Sequence, residues 1–210
     1  MVDRGPQQWE LLERDDVRLR SSRSERVARD LIMAARLPDH GARGRAQVLS
    51  LLDQHGARLA HRATAPGHLT GSTLVIDHQL SKVVVLLHRK LRRWLQPGGH
   101  ADGDTNLATV ALREASEETG LAGLRVLLPA VDLDVHAVDH GDQLGEHLHL
   151  DLRFVVLAPP GAELLGNHES LDLRWVTLAE LEDIADEDGI IRLARAGMAA
   201  AREAGLSGVS

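Results

Sequence analysis

The chain has 210 residues, a formal net charge of −7 and no cysteine. The negative charge argues against a broad nucleic-acid-binding surface, so nucleic acid is not an expected partner. The missing cysteines exclude disulfides, thiolate metal sites and cysteine nucleophiles. No apolar run approaches the roughly 18 residues that a membrane helix needs, and the first residues lack the apolar core of a signal peptide. We therefore expect a cytoplasmic, soluble protein with no membrane partner.

Residues 1–65 are predicted to form an N-terminal helical extension. The segment 18–23 is polar and charged, and we expect it to be loose. Apolar periodicity predicts short helices from Glu25 to Arg36 and from Arg45 to Arg62. Two roles stay open for this extension: packing or dimerisation, which would make the protein a homodimer, and a lid that selects the substrate.

Residues 66–210 are predicted to form the second unit, which begins at Pro66. Alternating and β-branched runs indicate strands, and Pro129 predicts an edge or a bulge between two of them. The mixture of strands and helices predicts an α/β fold with helices packed on a mixed sheet. The predicted strands are 69–76, 82–87, 124–128, 131–138, 146–157 and 174–176, a turn is predicted at 140–145, and helices are predicted at 105–119, 178–184 and 188–204.

The segment 98–121, GGHADGDTNLATVALREASEETGL, reads as a glycine loop followed by a helix with a glycine exit. Gly98 and Gly99 would allow the backbone to approach a ligand closely. Asp104 and Thr105 are suitable N-cap residues, and a glycine after the last glutamates suits a left-handed C-terminal stop. The segment therefore predicts a helix that begins beside a ligand-binding loop.

Three carboxylates of this helix share one face. Glu114, Glu117 and Glu118 fall at positions i, i+3 and i+4, where like charges repel one another. Carboxylate oxygens in this arrangement suit a hard divalent cation such as Mg²⁺, which also bridges to substrate phosphates. Arg113 precedes Glu117 by four residues and can orient a carboxylate through charge-assisted hydrogen bonds. The alternative is a solvated acidic helix.

The same segment resembles the signature of the Nudix hydrolases, G-x5-E-x7-R-E-U-x-E-E-x-G-U, in which U is a bulky apolar residue. The resemblance implies a Nudix α/β/α sandwich from about Pro66 onward. It also implies Mg²⁺, with Mn²⁺ as a second candidate, held by Gly99 and the three glutamates, and a small-molecule nucleotide as substrate. The matching residues are Gly99, Arg113, Glu114, Glu117, Glu118, Gly120 and Leu121, while Ala115 puts a small side chain at a bulky position.

Thr105 departs from the signature, because the family usually has its first glutamate at this position. A threonine cannot form the ion pair with the arginine of the signature, although its hydroxyl could cap the helix. Asp102 and Asp104 are close enough in sequence to compensate. A weakened or catalytically inactive protein is therefore the alternative to an active hydrolase.

A second polar constellation lies on the predicted strand 146–157. His147, His149 and Asp151 alternate with apolar residues, so they share one face of the sheet. Two imidazoles and a carboxylate could ligate a transition metal, line a substrate pocket or simply face solvent. We predict that they bind substrate. Asp132, Asp134 and His136 alternate likewise on the preceding strand.

The remaining predicted site residues lie in loops. His100 follows the glycine pair and could contact phosphate. The resemblance suggests a water-activating base in the loop before Arg174, where Glu163 and Glu169 are candidates, and we favour Glu169; either could equally be a surface acid. The predicted catalytic residues are thus Arg113, Glu114, Glu117 and Glu169.

The function that this pattern predicts is Mg²⁺-dependent cleavage of a phosphoanhydride bond in a nucleoside diphosphate linked to another moiety. A nucleotide-binding or regulatory domain with little or no turnover is the second hypothesis. An isomerase of the same fold is disfavoured, because such isomerases use a cysteine that this chain lacks. The substrate stays open among nucleoside triphosphates, dinucleoside polyphosphates, nucleotide sugars, ADP-ribose and capped RNA.

Overall fold

The computed structural model describes residues 8–38, 41–139, 146–166 and 170–206. Within these ranges, eight strands form one mixed sheet and five α-helices pack against it, so the predicted α/β class is confirmed. The strands are β1 (Glu10–Leu12), β2 (Gly67–Ile76), β3 (Val83–His88), β4 (Trp94–Leu95), β5 (Gly98–His100), β6 (Arg125–Asp139), β7 (Glu146–Leu157) and β8 (Ser170–Val176). The helices are α1 (Glu25–Ala34), α2 (Gly41–His55), α3 (Leu107–Thr119), α4 (Leu178–Ile184) and α5 (Asp188–Glu203).

Strand β2 lies at the centre of the sheet. It pairs in parallel with β7 along its whole length, and antiparallel with β5 near its beginning and with β3 at its end. The path of the sheet runs β1-β6-β7-β2-β3-β4, and β8 pairs with β3. The short strand β5 is therefore held against the first half of β2, which positions the glycine loop next to the sheet.

Successive residues of β7 point into two different cores, as expected from the two-residue period of a strand. Phe154 and Val156 belong to the larger core, with side chains from α1, α2 and α3. Val155 belongs to the second core, with side chains from α4 and α5. The sheet is thus sandwiched between two helical layers.

The N-terminal segment is more ordered than the sequence predicted. Strand β1 pairs with β6, and Val17–Leu19 forms a 3₁₀ turn. The carbonyl oxygens of Arg18 and Arg20 accept hydrogen bonds from Asn106 at the start of α3, at 2.8 and 3.0 Å. The prediction that 18–23 is loose was therefore wrong, because its backbone is bonded to residues distant in sequence. The division into units at residue 66 stays a prediction.

Several element boundaries differ from those predicted. The second helix begins at Gly41 and ends at His55, and a 3₁₀ turn (Gly56–Ala60) follows it. Strand β6 is continuous, but its register against β7 shifts between Leu127 and Asp132, which confirms the bulge predicted from the proline. The predicted turn 140–145 lies outside the described residues. None of the described helices has the length and apolar character needed to span a bilayer.

Candidate active site

The helix that carries the glutamates begins later than predicted. Its N-cap is Asn106, and Asp104 instead accepts a hydrogen bond from the Asn106 N–H at 2.9 Å and one from the Ser22 N–H at 2.9 Å. The prediction that Asp104 or Thr105 caps the helix was therefore wrong. Gly120 does adopt the predicted left-handed conformation, with φ of 70°. Its N–H donates to the Ser116 carbonyl and ends α3.

The two glycines of β5 lie directly against the carboxylates of α3. The Gly98 N–H donates to Oε2 of Glu118 at 2.9 Å. A Cβ atom built on Gly99 would lie only 2.5 Å from Cδ of Glu114 and 2.6 Å from its Oε2. Any side chain at residue 99 would therefore displace the Glu114 carboxylate. The sequence requires glycine here because backbone and carboxylate are in contact.

The three glutamates differ in burial. Glu118 is buried, the Glu114 side chain is 18% exposed and Glu117 is exposed. Burial raises the pKa of Glu114 above its ordinary value; the Arg113 charge opposes this, while the charges of Glu117 and Asp102 add to it. Ionised Glu114 thus lies among other negative charges in a partly desolvated position. A divalent cation would relieve this repulsion, and carboxylate oxygens are the donors that Mg²⁺ prefers.

Arg113 pairs with the carboxylate that follows it in the chain. Its guanidinium donates to Oε1 of Glu114 at 2.7 Å and to the His100 carbonyl at 3.1 Å. Asp102, a candidate to replace the missing glutamate, instead makes a bidentate pair with Arg62 at 2.6 and 2.7 Å. Arg113 therefore joins β5 to Glu114, and an arginine from the N-terminal extension holds the adjacent turn.

Thr105 is fully buried. Its N–H donates to the Ser22 carbonyl at 2.8 Å, and among the described residues its hydroxyl has no hydrogen-bond partner. The position at which the family usually has a glutamate is thus enclosed by the N-terminal segment. A carboxylate here would be buried, which is unfavourable unless it is paired.

Five histidines meet at one end of the sheet, and we call them the histidine cluster: His68, His100, His136, His147 and His149. The ring centroid of His68 lies 5.0 Å from that of His100, 4.7 Å from that of His147 and 4.9 Å from that of His149. The rings of His100 and His149 are 5.1 Å apart, and those of His136 and His149 are 5.5 Å apart. Three predicted substrate-binding residues, His100, His147 and His149, therefore lie together.

The cluster strongly disfavours protonation of its central member. Burial and, after it, the neighbouring imidazoles of His68, His100 and His136 together lower the pKa of His149 to about 3, against a smaller opposing effect of Asp151. His149 is therefore neutral at pH 7, and a neutral imidazole offers a lone pair to a metal or a hydrogen-bond donor.

Asp151 is buried beside the cluster in an ionic network that His136 joins through Asp134. Its oxygens accept hydrogen bonds from Thr70 at 3.0 Å, Ser72 at 2.6 Å and Arg153 at 2.7 Å. Burial would raise the pKa of Asp151, but the Arg153 charge and these hydrogen bonds lower it overall. Arg153 also pairs with Asp134. A direct role for Asp151 in substrate binding stays a prediction.

The two candidate bases belong to the segment between β7 and β8. Glu169 lies outside the described residues, and Glu163 is exposed in the loop after β7. This loop runs along the end of α3, since the Leu165 N–H donates to the Thr119 carbonyl at 2.8 Å. The part of the loop that carries Glu163 therefore passes close to the end of the helix of the glutamates.

Two residues of this region were not singled out from the sequence. His68 belongs to the histidine cluster, and Arg62 holds Asp102. His68 is an isolated histidine at the start of a strand, and Arg62 is an isolated arginine shortly before a proline. Neither residue is part of a spaced motif that would indicate a site. Only the pairing of β2 with both β5 and β7 could have indicated His68.

Solved structures of similar fold are remote in sequence. A NUDIX family hydrolase from Clostridium perfringens is 21% identical with a TM-score of 0.48, covering 61% of this chain and 95% of that one. The Ap4A hydrolase of C. elegans is 17% identical with a TM-score of 0.46, covering 65% and 98%. The NUDIX domain of Shewanella oneidensis NrtR, complexed with ADP ribose, is 20% identical with a TM-score of 0.44, covering 64% and 90%.

No curated protein sequence matches the chain. The family model of the NUDIX domain, in contrast, matches residues 68–195, which is more than half of the chain. That range contains β2 from its second residue onward, together with β5 and α3. The chain therefore belongs to the Nudix family.

Proposed function

We propose that the protein is a divalent-cation-dependent hydrolase that cleaves a phosphoanhydride bond in a nucleoside diphosphate linked to another moiety. The observation that supports this most directly is the contact between the glycine strand, β5 with Gly98 and Gly99, and the glutamates of α3. Glu118 accepts the Gly98 N–H, and the Glu114 carboxylate lies against Gly99, where a side chain would displace it. Family membership agrees with this assignment.

Glu114, Glu117 and Glu118 are the proposed ligands of Mg²⁺, with Mn²⁺ as a second candidate and Gly99 as a further ligand. When bound, the cation supplies positive charge to the phosphate oxygens and lowers the pKa of a coordinated water. Arg113 acts as a positioning residue, because its bonds to Glu114 and to the His100 carbonyl fix that carboxylate relative to β5. Such fixed geometry is the main requirement of phosphoryl chemistry.

The substrate is proposed to lie between the glycine strand and the histidine cluster. Gly98 and Gly99 leave the backbone accessible to a diphosphate, and His100 connects this strand to the cluster. His147 and His149 are proposed to line the pocket, because β7 places both beside His68. Glu169 remains the proposed base that accepts a proton from the attacking water.

A nucleotide panel with and without Mg²⁺ tests the proposal. Suitable substrates include ADP-ribose and Ap4A, which appear in the names of similar proteins. We expect release of nucleoside monophosphate or phosphate that requires Mg²⁺ and falls at least about 100-fold in Glu117→Gln, the size typical for a lost electrostatic contact in a transition state. Glu182→Gln, on α4 and paired with Arg195, is the matched control and should keep full activity. Turnover that survives both EDTA and Glu117→Gln would contradict the proposal.

A nucleotide-binding or regulatory protein without turnover is the second candidate. The observation in its favour is Thr105, which replaces the usual glutamate and is enclosed by the N-terminal segment. Nucleotide binding measured by calorimetry, together with no product in any reaction of the panel, would favour this function over hydrolysis.

A further inference from the structure

We propose that His68, His100 and His149 form a binding site for one divalent transition-metal ion, separate from the carboxylate site and selective for Zn²⁺, Co²⁺ or Ni²⁺ over Mg²⁺. Each of these histidines offers one ring nitrogen, and the three nitrogens all lie within 4.8 Å of one another. This site goes beyond the proposed hydrolysis and does not depend on it.

Strand pairing holds the three histidines together. His68 of β2 and His149 of β7 are direct partners in the parallel pair, so their side chains leave the sheet side by side. His100 of β5 is the partner of Thr70, two residues along the same face of β2. The three side chains therefore come from three neighbouring strands and share one face, which fixes their backbones without help from a ligand.

The spacing is close to that of a metal centre. In a tetrahedral zinc site the Zn–N distance is about 2.0–2.1 Å, so two nitrogen ligands lie roughly 3.3 Å apart. The three ring nitrogens are within 4.8 Å of one another. To come within roughly 3.3 Å, each nitrogen has to move by less than about 1 Å. Rotation about the side-chain bonds provides such a movement, whereas ligands on unconnected loops would need movement of the backbone.

The chemistry of the site selects the ion. Neutral imidazole suits Zn²⁺, Ni²⁺ and Cu²⁺, whereas carboxylate and water suit Mg²⁺. Several protonated imidazoles could not share this space, because their charges would repel one another at ring separations near 5 Å. Burial adds to this effect, since His68 is only 1% exposed. The neutral imidazole of His149 is suited to bind a cation.

The site is open on one side. His68 is buried, while His100 and His149 are each half-buried. Three protein ligands leave a position for water or a substrate oxygen, as in catalytic rather than structural zinc sites. Because successive residues of a strand face opposite sides of the sheet, the open position lies on the face of β5 opposite to the one where Gly99 meets Glu114, which keeps this site apart from the carboxylate site.

Metal titration of the whole chain tests this site without using activity. The purified protein is stripped with a chelator and titrated with Zn²⁺ by calorimetry and with Co²⁺ by visible absorption. We expect one ion per chain, and binding at least about 10-fold weaker in His100→Gln and His149→Gln, since even outer-shell changes cost 10- to 100-fold. His78→Gln, beyond the opposite end of β2, is the control and should bind like the wild type.

Two further variants keep the result interpretable. Glu117→Gln should lose hydrolysis but bind Co²⁺ with unchanged stoichiometry, which separates this site from the carboxylate site. His68→Gln should abolish binding; if it does not fold, as judged by circular dichroism, the two half-buried histidines decide the outcome. Absence of a bound ion at micromolar Zn²⁺ and Co²⁺, or equal affinity in His100→Gln, His149→Gln and the wild type, would overturn the proposal.

Discussion

Substitution of Gly99 by alanine should abolish most activity while leaving the fold intact. The new Cβ atom would lie 2.5 Å from Cδ of Glu114, and ordinary contact begins at 3.4 Å. The carboxyl group must therefore retreat by about 0.9 Å. A misplacement of about 1 Å at a catalytic group lowers the rate by roughly 100-fold, so we expect kcat/KM to fall by about that factor.

The loss of stability should be small for the same structural reason. The atoms that meet the new Cβ are the end of a flexible side chain that is 18% exposed, so Glu114 can rotate away without moving β5 or α3. A strained rotamer costs about 0.5–1.5 kcal/mol. In a chain of this size that lowers Tm by only a few degrees, about 2–4 °C per kcal/mol.

The assay measures kcat/KM and the Mg²⁺ concentration that gives half-maximal rate, alongside Tm by calorimetry. Gly189→Ala is the matched control, because its nearest neighbour would be Arg153 at an ordinary 3.6 Å. The control should keep its rate within about 2-fold, since no catalytic group moves. Wild-type kcat/KM in Gly99→Ala would refute the reasoning that this glycine exists to admit the Glu114 carboxylate.

Three further predictions follow from buried polar groups. Thr105→Val should raise the free energy of unfolding by about 1 kcal/mol and leave turnover unchanged, because it removes a buried hydroxyl that has no partner among the described residues. Lower stability of the variant in urea melts would contradict this. Arg153→Gln should lower the free energy of unfolding by about 3–5 kcal/mol at pH 7, because it leaves the buried Asp151 without its ion-pair partner. The hydrogen bond from His136 and the charge of Arg153 lower the pKa of Asp134 below its ordinary value of 3.8, so its stabilisation is present above about pH 4 and is lost as the pH falls further. Acid unfolding should therefore be shallower in Arg153→Gln, and an identical acid profile would be evidence against the network. Glu114→Gln should raise Tm in EDTA, since burial disfavours the Glu114 charge. The variant should also lack the rise in Tm that Mg²⁺ causes in the wild type. An equal rise with Mg²⁺ in both proteins would contradict the role of Glu114 as a ligand.

The elements that the sequence predicted well are those whose causes are local. Helix α4 was predicted with its observed bounds, and Thr177 and Glu180 form a capping box at its start. Helix α3 ends at the predicted glycine because a left-handed residue terminates it. The face shared by Glu114, Glu117 and Glu118 follows from helical period alone. Such features depend on a few neighbouring residues and can be read from their spacing.

The features that the sequence did not reveal depend on contacts between distant residues. The segment 18–22 has no periodic pattern, and its order comes from hydrogen bonds to Asn106 and Thr109. The N-cap is Asn106 rather than Thr105, and both residues bond to the N-terminal segment, Thr105 through its N–H to the Ser22 carbonyl and Asn106 through its side chain to the Arg18 carbonyl. The association of His68 with His149 required the parallel pairing of β2 with β7, which no local signal specifies. The histidine cluster could therefore not be predicted from the sequence, because it depends on pairing between strands that are distant in the chain.

The position of a bound Mn²⁺ ion tests the central claim most directly. Crystals soaked in Mn²⁺ and a non-hydrolysable nucleoside diphosphate derivative would locate the ion by anomalous diffraction. We predict a peak within about 2.3 Å of carboxylate oxygens of Glu114, Glu117 and Glu118, with a phosphate oxygen completing its coordination. A diphosphate bound in the pocket with no peak at these three side chains, or with the ion held elsewhere, would contradict the account.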